Sequence, residues 1–432
     1  MKIQCNFCTM ALPALMAFFF GNPGMAEEAA GSATSQTDVS TPLRSDKVPD
    51  SAVDWLTGDG VSLGGYLFPH LHAFGVFGGS TGDSEFLANG HHDPQGDATL
   101  QALEPGASLR VGDHLQGFAT YSANTDGEGH FDGAWEEAFL KLVDLPFDLE
   151  LRGGLFLNRF GFQNALHNHG WLYVDQNLVN GRLLQEGELA TIGGEVTWNL
   201  PTPWTSALST SVGGLPSAHE HDHEHAHGGD DPGFEAEGAN FDSWLAGANY
   251  VAKYDYNDFH QFTGTLSGAW GDNAFGRNTS LYGVGLEYLW RENGYEPGGL
   301  SVRFRNEVML RRIDALSGHL PGEEDPDQDE HGAHQEEASH AATLDEMGAS
   351  SLLVLGVNDR FETGVRGGWV SGIGEMSLDE RWQVSPMLTY YLNSNRTLLT
   401  RVQYNWDHSD SFGDEHSIWF QIGFNWGGAE VR

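Results

Sequence analysis

Apolar and polar residues alternate at every second position over most of this chain. In its last segment, Ile418, Phe420 and Ile422 share one face, whereas Ser417 and Gln421 share the other. A side-chain period of two is typical of β-strands. The same alternation recurs in further segments, at 149–157, 282–291, 302–311 and 398–406. The pattern predicts an all-β fold.

Connections between these segments alternate strictly between short turns and long loops. The long loops fall near residues 79–96, 124–132, 159–188, 216–238, 272–278, 314–348, 372–380 and 408–415. Aromatic residues gather at the ends of the apolar faces, as at Tyr404, Trp406 and Trp426. A soluble β-sandwich would also alternate. An aromatic girdle and alternating loop lengths instead favour a transmembrane antiparallel up-and-down β-barrel of about sixteen strands with long extracellular loops.

The first residues predict export. An apolar run, Met10–Phe20, is followed by small residues, which is typical of a secretory signal peptide over residues 1–26. Residues 27–60 are polar and lack periodicity, which predicts a disordered periplasmic leader, and residues 61–432 form the predicted barrel. The predicted location is therefore the outer membrane of a Gram-negative cell.

The net charge of the chain limits the classes of molecule that it can bind. The sequence has 61 Asp and Glu against 21 Lys and Arg, a formal net charge of −40. Such a charge repels nucleic acid and attracts cations. The sequence shows no convergent Ser/His/Asp arrangement, so we expect no enzyme and no required cofactor. A divalent metal ion is the expected bound or transported ligand.

The strongest chemical motif is a run of histidines alternating with acids in the predicted loop 216–238. Its histidines are His219, His221, His223, His225 and His227. Neutral imidazole binds zinc, copper and nickel, and several imidazoles on one flexible loop can wrap a single ion. A solvated low-complexity loop is the alternative interpretation.

A second long loop, 314–348, is sparser in histidine and richer in acid. Its histidines are His319, His331, His334 and His340, of which His331 and His334 are the candidate ligands. The acidic surroundings would draw cations toward the mouth of the barrel. Taken alone, this loop is also typical of a disordered acidic loop.

The loop near 159–188 is aromatic and has few charges, which predicts that it packs inside the barrel as a constriction. Within it, His167, His169 and Asp175 offer two nitrogens and one oxygen, a set that matches zinc and similar metals. The alternative is that His167 and Asp175 only form hydrogen bonds within the folded loop. Both interpretations stay open at this point.

Two features of the predicted strands bear on the lumen. His70 and His72 share a face with Phe68 and Phe74, so they would face lipid unless Pro69 marks a bulge. Arginines fall at inward positions, among glutamates on the same face: Arg152, Arg291, Arg303, Arg305, Arg311, Arg366 and Arg401. A mixed-charge lumen predicts modest selectivity, so any metal preference would reside in the loops.

The segment 154–179 carries a distinctive motif: Gly154-Leu-Phe-Leu-Asn-Arg-Phe-Gly-Phe-Gln-Asn-Ala-Leu-His-Asn-His-Gly-Trp-Leu-Tyr-Val-Asp-Gln-Asn-Leu-Val179. It resembles a loop of a family of outer-membrane proteins labelled zinc-regulated or porin-like. Segments 360–369 and 388–406 resemble that family too and, more distantly, the phosphate-selective porins. The resemblance implies an outer-membrane barrel with metal uptake. The positions of this chain that match the family's motif are His167, His169, Trp171 and Asp175.

The chain departs from the family's pattern in two places. Asn168 stands where the family commonly has proline, which loosens the geometry of the neighbouring histidines. Residues 427–432 extend past Trp426, where many barrels end on an aromatic residue. Members are sometimes called TonB-dependent receptors, a class with a plug domain. The segment before the first predicted strand is too short for a folded plug.

Three functions remain open from the sequence. The first is an outer-membrane channel or receptor that captures divalent metal, zinc first, on its histidine-rich loops and passes it to the periplasm. The second is a general or anion-tolerant porin, and the third is a surface barrel that scavenges metal or adheres to a partner. Expected partners are outer-membrane lipid, divalent metal ions and the barrel-assembly machinery. Whether the barrel forms a homotrimer stays open.

Overall fold

A closed antiparallel barrel forms the fold in a computed structural model that describes residues 62–83, 87–90, 92–125, 129–216, 236–296, 298–317, 340–427 and 430–431. The strands are β1 (Leu67–Ser80), β2 (Ala98–Val111), β3 (Leu115–Thr125), β4 (Phe131–Leu145), β5 (Leu149–Leu157), β6 (Ala190–Asn199), β7 (Thr205–Gly214), β8 (Phe241–Asn257), β9 (His260–Asn273), β10 (Asn278–Arg291), β11 (Ser301–Ser317), β12 (His340–Gly356), β13 (Phe361–Val370), β14 (Arg381–Tyr391), β15 (Leu398–Ser409) and β16 (Gly413–Gly427). Each strand pairs with the next along the chain, and β16 pairs with β1. The predicted up-and-down barrel is confirmed.

The two faces of the strands are sorted as the alternation predicts. On β16, Ile418, Phe420 and Ile422 are exposed to 45%, 38% and 58%, whereas Ser417 and Gln421 are buried. A barrel surrounded by lipid requires apolar side chains outside and polar side chains inside. The barrel therefore has the architecture of a Gram-negative outer-membrane protein, and its interior is a polar lumen.

Connections follow the predicted alternation of short and long only in part. The predicted long loops near 272–278 and 408–415 are turns over residues 274–277 and 410–412, whereas the predicted short connection from β10 to β11 spans residues 292–300. Short turns join β2 to β3, β4 to β5 and β12 to β13, and the connections from β1 to β2 and from β5 to β6 are long. The start of β1 and the end of β16 lie at the short-turn end, which is the periplasmic end in barrels of this type. The predicted signal peptide, 1–26, and leader, 27–60, lie outside the described residues.

Helical structure is short and lies in the connections. Among the described residues it consists of one helix, α1 (Leu178–Leu183), and 3-10 turns at Asn168–Gly170, Gln185–Gly187, Ala236–Ala239 and Gly374–Met376. No helix in the described part of the chain is long and apolar enough to cross a membrane.

The connection between β5 and β6, residues 158–189, is the inner loop, because it folds into the lumen. Its apolar side chains and those of the wall form one buried cluster, which includes Phe160, Leu178, Leu183, Leu189, Leu245, Leu281 and Met309. The side chain of Asn177 caps α1 by accepting hydrogen bonds from the Val179 and Asn180 amides. A Cβ at Gly348 of β12 would lie 2.6 Å from Val179 Cγ1, so glycine allows α1 this close approach. The loop is packed inside the barrel, as its composition predicts.

Candidate metal-binding groups in the lumen

Two histidines of β1 point into the lumen. His70 and His72 are 3% and 8% exposed, and they share this face with Phe74, which is 1% exposed. The prediction that they face lipid is wrong. Their shared parity with Phe74 holds, but Phe74 packs inside the barrel in a small apolar cluster. The pairing of β1 with β2 is regular around Pro69, with no bulge there.

Three glutamates of neighbouring strands supply carboxylates to the same part of the lumen. Glu104 of β2 is the register partner of His72 and is fully buried. On β4, consecutive residues of β3 pair with Trp135 and Glu137, so Glu136 is the extra residue of a β-bulge. Adjacent strand residues normally face opposite sides. The bulge instead leaves the side chains of Glu136 and Glu137 both buried, with exposures of 6% and 2%.

The inner loop brings two more histidines to this wall. His167 Nε2 lies 3.0 Å from the carboxylate of Glu137, and its Nδ1 lies 3.7 Å from that of Glu136. His169 Nδ1 lies 2.6 Å from the carboxylate of Glu104. Each of these imidazoles therefore meets a carboxylate supplied by a strand.

The residues after β16 turn back into the lumen. Glu430 Oε1 lies 3.2 Å from Nε2 of His72 and 3.3 Å from Nε2 of His169. The Val431 amide donates a hydrogen bond to the Ser108 hydroxyl of β2 at 3.2 Å. The extension beyond the last aromatic residue, which the sequence showed only as a departure from the usual ending, thus supplies a carboxylate to two histidines.

A further histidine comes from the connection between β1 and β2. His92 is buried, and its Nδ1 lies 3.0 Å from the backbone oxygen of Gln101 on β2. Its Nε2 lies 3.8 Å from the carboxylate of Glu136. Glu188, near the end of the inner loop, brings a second carboxylate to the same point.

These side chains form three donor groups, in each of which the ligand atoms lie within 4.8 Å of one another. We call them the outer group (His92, Glu136 and Glu188), the middle group (Glu104, His167 and His169) and the lower group (His70, His72 and Glu430). Imidazole nitrogen together with carboxylate oxygen suits zinc and other borderline divalent ions. Three protein ligands also leave a fourth position for water or another ligand.

Burial and neighbouring carboxylates act against each other on the loop histidines. Burial lowers the pKa of His169, but the carboxylates of Glu430 and Glu104 outweigh it and raise this pKa to about 10. Burial also lowers the pKa of His92, and Glu136 with other carboxylates raises it to about 9. A metal ion that binds either imidazole would therefore compete with a proton.

His70 differs from the other histidines in its lack of hydrogen bonds. Both of its ring nitrogens are buried, and neither has a hydrogen-bond partner among the described residues. A Cβ at Gly106 would lie 2.2 Å from His70 Nε2, so glycine makes room for the ring. A buried polar group without a partner costs free energy, which a ligand at the lower group would recover.

Asp175 does not join the two histidines with which the sequence grouped it. Its carboxylate accepts hydrogen bonds from Arg366 at 2.6 Å, Gln403 at 2.6 Å and Asn405 at 2.8 Å. It belongs to none of the donor groups in the described part of the chain. The structure therefore does not bring Asp175 together with His167 and His169: Asp175 lies against β13 and β15, and Glu104 is the carboxylate beside His169.

The surface-loop candidates lie outside the described residues. They are His219, His221, His223, His225, His227, His331 and His334. Their role in capturing metal at the mouth stays a prediction from the sequence.

Several donors were not recognisable as ligands in the sequence: His70, His72, His92, Glu104, Glu136, Glu188 and Glu430. A signal was present for the first two, because residues two apart on a strand share a face and two imidazoles facing lipid would be unfavourable. Alternation assigns Glu136 and Glu137 to opposite faces, so the bulge removed the signal there.

Comparison with known proteins finds similar proteins but assigns the chain to no family. No family model matches the chain. An uncharacterized protein of Aquifex aeolicus is 32% identical over 95 residues, which are 22% of this chain and 19% of that protein. The alignment therefore spans about a fifth of the length of that relative.

Several solved outer-membrane proteins are similar to this chain at low identity. OprB of Pseudomonas putida is 9% identical with a TM-score of 0.49 and covers 84% of this chain and 94% of its own. An anion-selective porin of Comamonas acidovorans is 9% identical with a TM-score of 0.46, covering 83% and 98%. The channel DcaP of Acinetobacter baumannii is 10% identical with a TM-score of 0.46, covering 83% and 96%. None of these likenesses assigns an activity to this chain.

Proposed function

We propose that this protein is an outer-membrane channel whose cargo includes divalent metal ions, zinc first among them. The observation that carries the proposal is the set of three histidine–carboxylate donor groups between the inner loop and the barrel wall. A closed barrel with a polar interior is the architecture of a channel. The donor groups give this lumen a chemistry that a general pore does not need.

The donor types favour zinc and similar ions over magnesium and calcium. The lower and middle groups each combine two imidazoles with one carboxylate. Magnesium and calcium prefer all-oxygen surroundings, whereas zinc, copper and nickel accept imidazole nitrogen. Zinc ranks first because it binds mixed nitrogen and oxygen sets in tetrahedral geometry.

Capture at the cell surface is the second part of the proposal. The alternating histidines and acids of residues 219–227 would raise the local concentration of metal at the mouth, and the formal net charge of −40 would favour cations. Binding there must stay weak or exchangeable, because an ion that is held too tightly would not move on.

Two measurements test this function. Reversal potentials of the purified barrel in planar bilayers, under a zinc chloride gradient, should show that zinc permeates. Zinc uptake into proteoliposomes at sub-micromolar zinc should fall when residues 219–227 are deleted and stay unchanged at millimolar zinc. A barrel that conducts potassium chloride but is impermeable to zinc would contradict the proposal.

A general or anion-tolerant porin is the second candidate, and Arg401 is the observation that favours it. Its guanidinium donates hydrogen bonds to backbone oxygens of Trp171 and Tyr173 and to the side chains of Thr389 and Gln421, so it adds a positive charge to the wall.

Other inward arginines pair with acids: Arg152 with Glu195, Arg305 with Glu287, Arg311 with Glu346 and Arg366 with Asp175. This pairing weakens the positive field in the lumen, so the arginines support anion selectivity less than their number suggests. Clear anion selectivity without any effect of zinc on conductance would favour this candidate over the metal channel.

A further inference from the structure

We infer that the three donor groups form a relay, in which a divalent ion passes along the barrel wall from the outer group through the middle group to the lower group. The inference rests on the proposed function and adds the route that the ion takes through the barrel. Three kinds of observation support it: the order of the groups, the carboxylates that adjacent groups share, and the orientation of the imidazoles.

The groups are ordered along β2, which runs from the long-loop end of the barrel to the short-turn end. His92 is held at Gln101, His169 meets Glu104, and His70 covers Gly106. Gly106 follows Gln101 by five residues, and because Gln101 is the extra residue of a bulge the rise between them is about 15 Å at the usual spacing. The outer group therefore lies nearest the extracellular side and His70 of the lower group lies nearest the periplasmic side, whereas His72 lies level with Glu104 of the middle group.

Adjacent groups share a carboxylate. The two oxygens of Glu136 point to different groups, Oε1 lying 3.8 Å from His92 of the outer group and Oε2 lying 3.7 Å from His167 of the middle group. Glu430 lies 3.2 Å from His72 of the lower group and 3.3 Å from His169 of the middle group. An ion can thus gain a ligand of the next group before it loses the last ligand of the previous one.

Two of the imidazoles are oriented by hydrogen bonds at the ring nitrogen that faces away from the carboxylates. His92 Nδ1 lies 3.0 Å from the Gln101 backbone oxygen, and His72 Nδ1 lies 2.9 Å from Asn425 Oδ1. An acceptor at Nδ1 places the proton there and leaves Nε2 as the metal ligand, which is the usual support of a histidine at a metal site.

The protein ligands in each group also suit passage. Each group supplies three donors, which leaves at least one position of a tetrahedral ion to water. Several adjacent sites of incomplete coordination allow entry and release, whereas one closed site would trap the ion. The side chains of Glu430 and His169, both 14% exposed, are the donors most open to the lumen in the middle and lower groups.

The test replaces the shared carboxylates in the full chain, with Glu136→Gln, Glu430→Gln and the double variant. Glu375→Gln, an exposed acid in the connection between β13 and β14, is the matched control. Zinc flux into proteoliposomes, potassium conductance in bilayers and zinc bound per barrel by elemental analysis are measured for each. Heat-modified gel mobility shows that each variant is folded.

The relay predicts that each single variant slows zinc flux by about tenfold, within the range expected for disturbed metal sites, and leaves potassium conductance unchanged. Because steps in series add their resistances, the double variant should be slower by about twentyfold and not by about a hundredfold. Zinc bound per barrel should fall in both single variants, and the control should behave as wild type.

The outcomes separate the relay from the function on which it rests. Zinc flux in wild type that is unchanged in Glu136→Gln and Glu430→Gln would overturn the relay and leave the metal channel intact. Loss of bound zinc without loss of flux would also overturn it, since the ion would then be a resident structural ion. Potassium conductance in wild type without any zinc flux would instead overturn the proposed cargo.

Discussion

The inner loop meets two walls of the barrel with different chemistry. On the wall of β1, β2 and β4, His167 and His169 face carboxylates. On the wall of β13 to β15, Asp175 accepts hydrogen bonds from Arg366 and two side-chain amides, and Arg401 donates to two backbone oxygens of the loop. One wall offers exchangeable donors, and the other offers charges that are fixed in place by hydrogen bonds.

The two walls therefore differ in role: the wall of β13 to β15 holds the loop in place, and the wall of β1, β2 and β4 carries the groups that can bind an ion. The buried carboxylate of Asp175 already accepts from a guanidinium and two amides, and the Arg366 charge repels a cation. An imidazole beside a carboxylate can exchange its proton for a metal ion. The loop therefore carries its anchor at Asp175 and its candidate ligands at His167 and His169, only a few residues apart.

The largest effect is expected when the anchor at Asp175 is removed. Asp175→Ala leaves the buried Arg366 without its carboxylate, and breaking a buried pair in this way costs about 3–5 kcal/mol. We expect the free energy of unfolding in detergent, from urea titration, to fall by that amount with or without zinc. Asp410→Asn, at an exposed acid, should stay within about 0.5 kcal/mol of wild type. Rescue of Asp175→Ala by zinc would show that the two walls are not chemically distinct.

A smaller effect is expected from crowding the lower group. A Cβ at Gly106 would lie 2.2 Å from His70 Nε2 and 2.5 Å from the Ala119 backbone oxygen. Gly106→Ala should therefore lower the free energy of unfolding by about 1–3 kcal/mol and reduce zinc bound at the lower group. Gly75→Ala is the matched control, since nothing lies within 4 Å of its added Cβ. Full zinc binding by Gly106→Ala would exclude His70 as a ligand.

The last expected effect is confined to zinc affinity and concerns the orientation of one imidazole. Asn425→Leu removes the acceptor 2.9 Å from His72 Nδ1, so zinc affinity at the lower group should weaken by about 10–100-fold. Asn278→Leu, at an exposed position, should leave the affinity unchanged. Isothermal titration with zinc measures both variants. Equal affinity in Asn425→Leu and wild type would show that His72 needs no support, or that it is not a ligand.

Much of the fold could be predicted because its signals are local. Alternation along each strand predicts the barrel and the outward face of β16, and the structure confirms both. The inward packing of the loop near 159–188 follows from its apolar composition. Each of these properties depends on residues that are close together in the chain.

The candidate site was harder to predict, since its donors come from distant segments. The sequence itself determined that the chain makes a barrel, that histidines and acids are its distinctive chemistry and that His167 and His169 belong to an inward loop. Only the tertiary structure decided that His70 and His72 face the lumen, because on β1 they share a face with the apolar Phe74, so the alternation there does not show which face is inside. It also decided that a bulge turns Glu136 inward beside Glu137, and that Glu430 reaches the histidines where Asp175 does not. Those outcomes depend on strand register and on the path of the chain across the lumen, which no local pattern encodes.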